Sequence, residues 1–200
     1  RRADAAFLIA RSCISFSLYK SHAVWVNKDG DVFAIGSNKG HKIIHDIPDG
    51  TLDKATKIII PTPDGHRAKA ISAVCGGKYT LYMLEPVIDG GIPQLAYQYS
   101  KVTIDNPLFL NLQGHRPVSL YGGKQTAAAI DDKGSAIIIT RAIFEASNSG
   151  TPFFIPMPEG EKAVYLACGD DLVLALSASG RVFSSMAMDA NDRSGFTEFV

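Results

Sequence analysis

Apolar residues in this chain come in short blocks separated by polar turns. Ala23-Val24-Trp25-Val26 is followed by a break at Lys28-Asp29-Gly30, and apolar positions resume at Val32-Phe33-Ala34-Ile35. The same rhythm returns later as Leu172-Val173-Leu174-Ala175-Leu176, a Ser179-Gly180 break, then Val182-Phe183. Short β-rich blocks separated by Gly-centred turns, where Gly accepts positive φ, predict strands joined tightly rather than helices. The best amphipathic helix candidate, residues 3–11, is short. The pattern predicts an all-β chain.

The blocks belong to units that resemble one another. Ile14-Ser15-Phe16-Ser17-Leu18-Tyr19, Ile71-Ser72-Ala73-Val74-Cys75-Gly76-Gly77, Val118-Ser119-Leu120-Tyr121-Gly122-Gly123 and Val164-Tyr165-Leu166-Ala167-Cys168-Gly169 each open one. Lead positions 14, 71, 118 and 164 are spaced by 57, 47 and 46 residues. The units are expected at about 14–70, 71–117, 118–163 and 164–200. A repeat of this length holding several strands is the size of one β-propeller blade, whose sheet buries both faces only by packing against neighbouring blades.

At these residues the chain resembles the regulator of chromosome condensation repeat family. The first unit keeps His22, Asp29-Gly30, Val32-Phe33 and Gly36-Ser37-Asn38-Lys39-Gly40; the fourth keeps Ala167-Cys168-Gly169, Gly180 and Val182-Phe183. The likeness spans about residues 14–185. Tyr19 stands where the family has Gly, and Tyr79, Gln125 and Leu172 stand where it often has His. The second unit lacks a clear Gly turn after Leu84. Family members usually close with seven blades, so the resemblance implies that four units form part of a larger ring, with a compact four-bladed ring as the alternative. It also implies two activities: protein-partner recognition, and guanine-nucleotide exchange on a small GTPase.

Composition narrows the function classes. With 20 basic and 20 acidic residues the formal net charge is zero, which argues against a dedicated nucleic-acid binder but leaves room for a local basic patch. Apolar residues at 46% suit a globular core, and no apolar run reaches membrane-spanning length. Cys13, Cys75 and Cys168 form neither a disulfide framework nor a zinc spacing, and no Asn-x-Ser/Thr sequon occurs. Both absences point to an intracellular setting, cytoplasmic or nuclear. The start, Arg1-Arg2-Ala3-Asp4, reads as part of a longer chain.

Candidate chemistry is weak at every motif. Gly76-Gly77-Lys78 and Gly122-Gly123-Lys124 faintly resemble a phosphate loop but lack its length, the Ser or Thr directly after Lys, and the helix; they read as a turn at one repeat position. His41 and His45 lack a Glu between them, and on a strand they would lie about 13 Å apart, too far for one metal. His22 has no nucleophile around it and reads as a hydrogen-bonded structural residue. Cys75 and Cys168 read as small buried residues, Trp25 as core. Asp189-Ala190-Asn191-Asp192-Arg193-Ser194-Gly195 departs from a calcium loop at Arg193, and the pairs Asp131-Asp132 and Asp170-Asp171 put neighbours on opposite faces.

The sequence therefore supports a non-enzymatic interaction scaffold with no catalytic, metal or cofactor residues and with other proteins as partners. Exchange on a small GTPase is the alternative, and an enzymatic or sugar-binding propeller a third possibility. The connections 38–69 and 86–117 are expected to form the variable recognition surface.

Overall fold

A computed structural model describes residues 12–44, 46–62, 67–100, 107–146, 150–186 and 195–199, the Met186 side chain excepted. Among the described residues sixteen strands form four antiparallel four-stranded sheets, each a simple meander. Sheet one holds β1 (Cys13–Tyr19), β2 (His22–Asn27), β3 (Val32–Ser37) and β4 (Thr51–Ile58). Sheet two holds β5 (Ala70–Cys75), β6 (Tyr79–Leu84), β7 (Gln94–Tyr99) and β8 (Leu108–Phe109). Sheet three holds β9 (Pro117–Gly122), β10 (Ala127–Asp131), β11 (Ala136–Ile139) and β12 (Phe153–Ile155). Sheet four holds β13 (Ala163–Cys168), β14 (Leu172–Ser177), β15 (Val182–Met186) and β16 (Thr197–Glu198).

The sheets are β-propeller blades. They meet through their first and second strands: β1 and β2 pack on β5, β5 on β9, and β9 and β10 on β13. The outer strands β8, β12 and β16 are short, and β4 is largely exposed and charged, which discourages edge-to-edge pairing. That polarity hid β4 in the sequence, and shortness hid the others. The connections expected as loops at 38–69 and 86–117 contain β4, β7 and β8. This corrects the expected recognition surface, because much of both segments is blade.

Alternating faces explain the run Ala127-Ala128-Ala129-Ile130. Ala127 and Ala129 pack towards blade two with Ile137 and Ile139, while Ala128 and Ile130 pack towards blade four with Ala136 and Ile138. A strand buried on both sides loses polar alternation and reads as continuously apolar. Three packing clusters join blades one to two, two to three and three to four. None of the three joins four to one. The outer face of blade one is correspondingly bare, with Ile14, Phe16 and Leu18 exposed at 55%, 54% and 66%.

Local details repeat with the blades. At the β2–β3, β10–β11 and β14–β15 turns, Gly30, Gly134 and Gly180 have φ of 77°, 85° and 88°. Each follows a polar residue (Asn27, Asp131 or Ser177) whose side-chain oxygen accepts backbone N–H bonds from the turn. In blade two this turn is the longer connection 85–93, as the missing Gly signal implied. The candidate helix 3–11 lies outside the described residues. No helix among the described residues is long and apolar enough to cross a membrane.

Candidate functional site: a basic cavity where three hairpins meet

The hairpin joining the first two strands of each blade lies at one end of the row. Gly76 N–H donates to Tyr79 O (3.0 Å), Gly123 N–H to Thr126 O (2.8 Å) and Gly169 N–H to Leu172 O (2.8 Å). The first hairpin is bracketed by the Leu18↔Ala23 pair, as the others are by Cys75↔Thr80, Gly122↔Ala127 and Cys168↔Val173. The hairpins thus begin at 19, 76, 123 and 169, keeping the 57, 47 and 46 spacing.

This register corrects one sequence reading. At a spacing of 47, Gly76 matches Gly123, so the two Gly-Gly-Lys triplets are one residue out of step. Lys124 occupies the position of Gly77 and Lys20, and Lys78 that of Gln125. The residue matching His22 and Tyr79 is Thr126, not Gln125. Hairpin closure fixes the alignment, and the shared triplet is coincidental.

The realigned position locks each blade to the next. His22 Nε2 lies 3.4 Å from Thr80 Oγ1. The Tyr79 hydroxyl donates towards Gly123 O (2.9 Å) or Thr126 O (3.0 Å) and accepts from Gly123 N–H (3.1 Å). Thr126 Oγ1 donates to Asp170 O (2.8 Å). Leu172, with no polar group, ends the series. A fourth link is backbone to backbone, Gly77 N–H to Lys124 O at 2.8 Å.

These links hold the hairpins around a cavity of about 550 Å3. Its lining comprises Tyr19, Lys20 and Ser21 of blade one; Gly77, Lys78 and Tyr99 of blade two; and Lys124, Gln125 and Arg141 of blade three. Tyr19, at the position of Gly76 and Gly123, presents its ring over Gly77. The departure from the family pattern at Tyr19 was the sequence signal for this site. Arg141 opens the short helix Arg141–Glu145, which no sequence pattern announced. Glu145 Oε1 accepts from Arg141 Nε (2.8 Å) and from the Tyr99 hydroxyl (2.9 Å). Burial, reinforced by that bond to Glu145, pushes the Tyr99 hydroxyl up to about 12. Lys124 Nζ meets Asp170 at 2.5 Å, and this bond holds the ammonium above its ordinary range.

Behind Ser21 lies a buried polar group. Lys42 Nζ donates to Ser21 Oγ (2.8 Å), and burial pulls the Lys42 ammonium below its usual range. His22 is 2% exposed, and burial together with nearby Lys42 lowers its imidazole to about 4. The unfolded chain therefore takes up this proton first as pH falls, so the stability contributed by neutral His22 is complete above pH 6.5 and is lost between 6.5 and 4. We expect a loss of about 2 kcal/mol from pH 7 to 4.5 assignable to His22. Urea titrations of wild type and His22→Gln at both pH values measure it; equal pH dependence of the two proteins would refute the assignment.

The remaining candidates fall outside this site or read as structural. Burial raises the Cys75 thiol and pushes Cys168 up to about 12, disfavouring the nucleophilic thiolate. Trp25 is buried and stacks on Phe33 with ring centroids 5.7 Å apart. Asp131 is buried, binding its own turn and His115 Nδ1 (2.8 Å), while Asp132 is exposed. Asp170 and Asp171 sit on the fourth hairpin. His45 and residues 189–194 lie outside the described residues. Among the described residues no group of three or more His, Cys, Asp or Glu is placed to hold a metal.

No protein-family model matches the sequence, and no curated protein matches it significantly. Solved structures match in fold. Yeast RCC1 (Prp20) bound to Kap60 superposes with a TM-score of 0.63 at 15% identity, covering 94% of this chain and 49% of that one. Prp20p from Saccharomyces cerevisiae matches at 0.60 and 14% identity, covering 86% and 44%. The CRINKLY WD40 ectodomain of the Arabidopsis thaliana receptor kinase ACR4 matches at 0.52 and 16% identity, covering 89% and 51%. The fold is an RCC1-like β-propeller, and the chain spans about half the length of these three solved proteins.

Proposed function

We propose that this chain is a non-enzymatic protein-interaction scaffold, four blades of a larger propeller. The observation that carries this reading is the row of hairpins pinned to one another by backbone and side-chain hydrogen bonds around an open cavity. The described ends of the β3–β4, β7–β8 and β11–β12 connections leave the blades at the end that carries these hairpins. Loops on a rigid frame at one end of a propeller suit recognition of another protein. The bare apolar face of blade one, and the half-length coverage of the RCC1 structures, support further blades beside these four. The free cysteines Cys13, Cys75 and Cys168 support a reducing intracellular location, cytoplasmic or nuclear.

Affinity capture from cells with wild-type chain tests the scaffold reading. One variant changes the cavity end (Lys20→Glu with Lys78→Glu), and another the opposite end (Lys28→Glu with Lys133→Glu). We expect specific partners to be lost about tenfold or more only with the first. An identical partner set for both variants would refute a recognition surface at the hairpin end.

A second reading, guanine-nucleotide exchange, is favoured by the fold likeness to Prp20, whose binding to Gsp1p and histones has been characterised. Faster release of labelled GDP from a panel of small GTPases would support it, and a flat panel would remove it.

A further inference from the structure

A chain with 20 basic and 20 acidic residues has no net charge to draw in a polyanion, yet its cations are unevenly placed. Lys20, Lys78, Lys124 and Arg141 all line the hairpin cavity, and among the described residues no acidic one does. Asp170 and Glu145 partly neutralise Lys124 and Arg141. Lys20 and Lys78 have no carboxylate partner among the described residues, and both are exposed. Concentrating like charge in a concave site costs self-repulsion that an incoming anion relieves.

The arrangement favours one class of anion. The four cations come from three successive blades, Lys20, Lys78 and Lys124 from their hairpins and Arg141 from the helix Arg141–Glu145, so they reach the cavity from different elements. Cations brought in from three blades suit a chain with several spaced carboxylates. The cavity, about 550 Å3, admits a few side chains and is too small to enclose a duplex. Tyr19 and Tyr99 add aromatic wall on which the aliphatic parts of such a chain can lie. Backbone bonding between hairpins two and three sets the spacing before any ligand arrives, which reduces the ordering cost of binding.

We propose that the cavity formed by Lys20, Lys78, Lys124 and Arg141 docks an acidic peptide segment of a partner protein. The proposal rests on the scaffold reading and identifies the chemistry of its partner. Lys20 and Lys78 make the dominant contacts, because a ligand carboxylate must compete with Asp170 for Lys124 and with Glu145 for Arg141.

Fluorescence anisotropy with a labelled eight-residue Glu-Asp peptide tests it on the 200-residue chain. The controls are a Gln-Asn peptide of the same length and a single-stranded oligonucleotide. We expect saturable binding of the acidic peptide, weakened by salt, absent for the neutral one, and not displaced by equimolar oligonucleotide. Lys20→Glu with Lys78→Glu should weaken binding about tenfold or more, while Lys20→Arg with Lys78→Arg retains it. Both pairs are exposed, and matching thermal melts confirm that each variant folds. No binding of the acidic peptide, equal binding by the charge-reversed variant, or preference for the oligonucleotide would overturn the proposal. Partner capture that survives such a failure would leave the scaffold reading standing and remove only the acidic-peptide assignment.

Discussion

Gly123→Ala should destabilise the fold by about 3 kcal/mol. Gly123 has no left-handed backbone requirement; the constraint is space. A Cβ there would lie 2.4 Å from Cys168 O and 2.7 Å from Gly169 O, both backbone atoms of the next hairpin. Backbone cannot rotate aside as a side chain can, so blades three and four must separate. That separation strains the Thr126-to-Asp170 bond and the packing of Ala128 and Leu166 beneath it. Gly169 supplies an internal control at the same repeat position. Its Cβ would come no closer than 3.4 Å to Leu172 O, within its own hairpin, so Gly169→Ala should change stability by less than about 1 kcal/mol. Urea-denaturation midpoints for the two variants measure the contrast; equal midpoints would mean that close blade approach is not what Gly123 provides.

The same position shows what the sequence could and could not convey. Blade number, strand-turn-strand rhythm and the Gly30, Gly134 and Gly180 turns were legible because burial and positive φ each leave a residue signature. The outer strands were not, since β4 carries Asp53, Lys54 and Lys57 and β8 is only two residues long. Their pairing is dictated by the strand beside them, not by their own composition. The cavity was half visible. Tyr19 stood out as a departure from Gly, but Lys20, Lys78 and Lys124 look like ordinary surface lysines in any single unit. They gain meaning only when three hairpins, separated by 57 and 47 residues in the chain, are brought side by side. Arg141 was hidden for a further reason: the short helix that carries it is held by the tertiary contacts of Phe144, not by helix propensity.

Phe144 is accordingly the second site of large effect, with an expected cost of about 4 kcal/mol for Phe144→Ala. Its side chain is fully buried between blades two and three. It stacks on Tyr79 with centroids 4.3 Å apart, meets Tyr97 edge-on at 5.2 Å and lies parallel to Tyr99 at 6.1 Å. Three tyrosines of one blade thus share one ring of the next, and their hydroxyls depend on its position: Tyr97 donates to Ile143 O, Tyr99 to Glu145 and Tyr79 to the third hairpin. Truncation removes the ring's transfer energy, leaves a cavity and loosens the helix that positions Arg141. Phe16→Ala is the matching control, because Phe16 lies on the bare face of blade one and should shift stability by less than about 0.5 kcal/mol. Denaturation midpoints and peptide affinity should fall together for Phe144→Ala and stay put for Phe16→Ala. If Phe144→Ala lost stability but kept full peptide affinity, the helix and its Arg141 would not contribute to peptide binding.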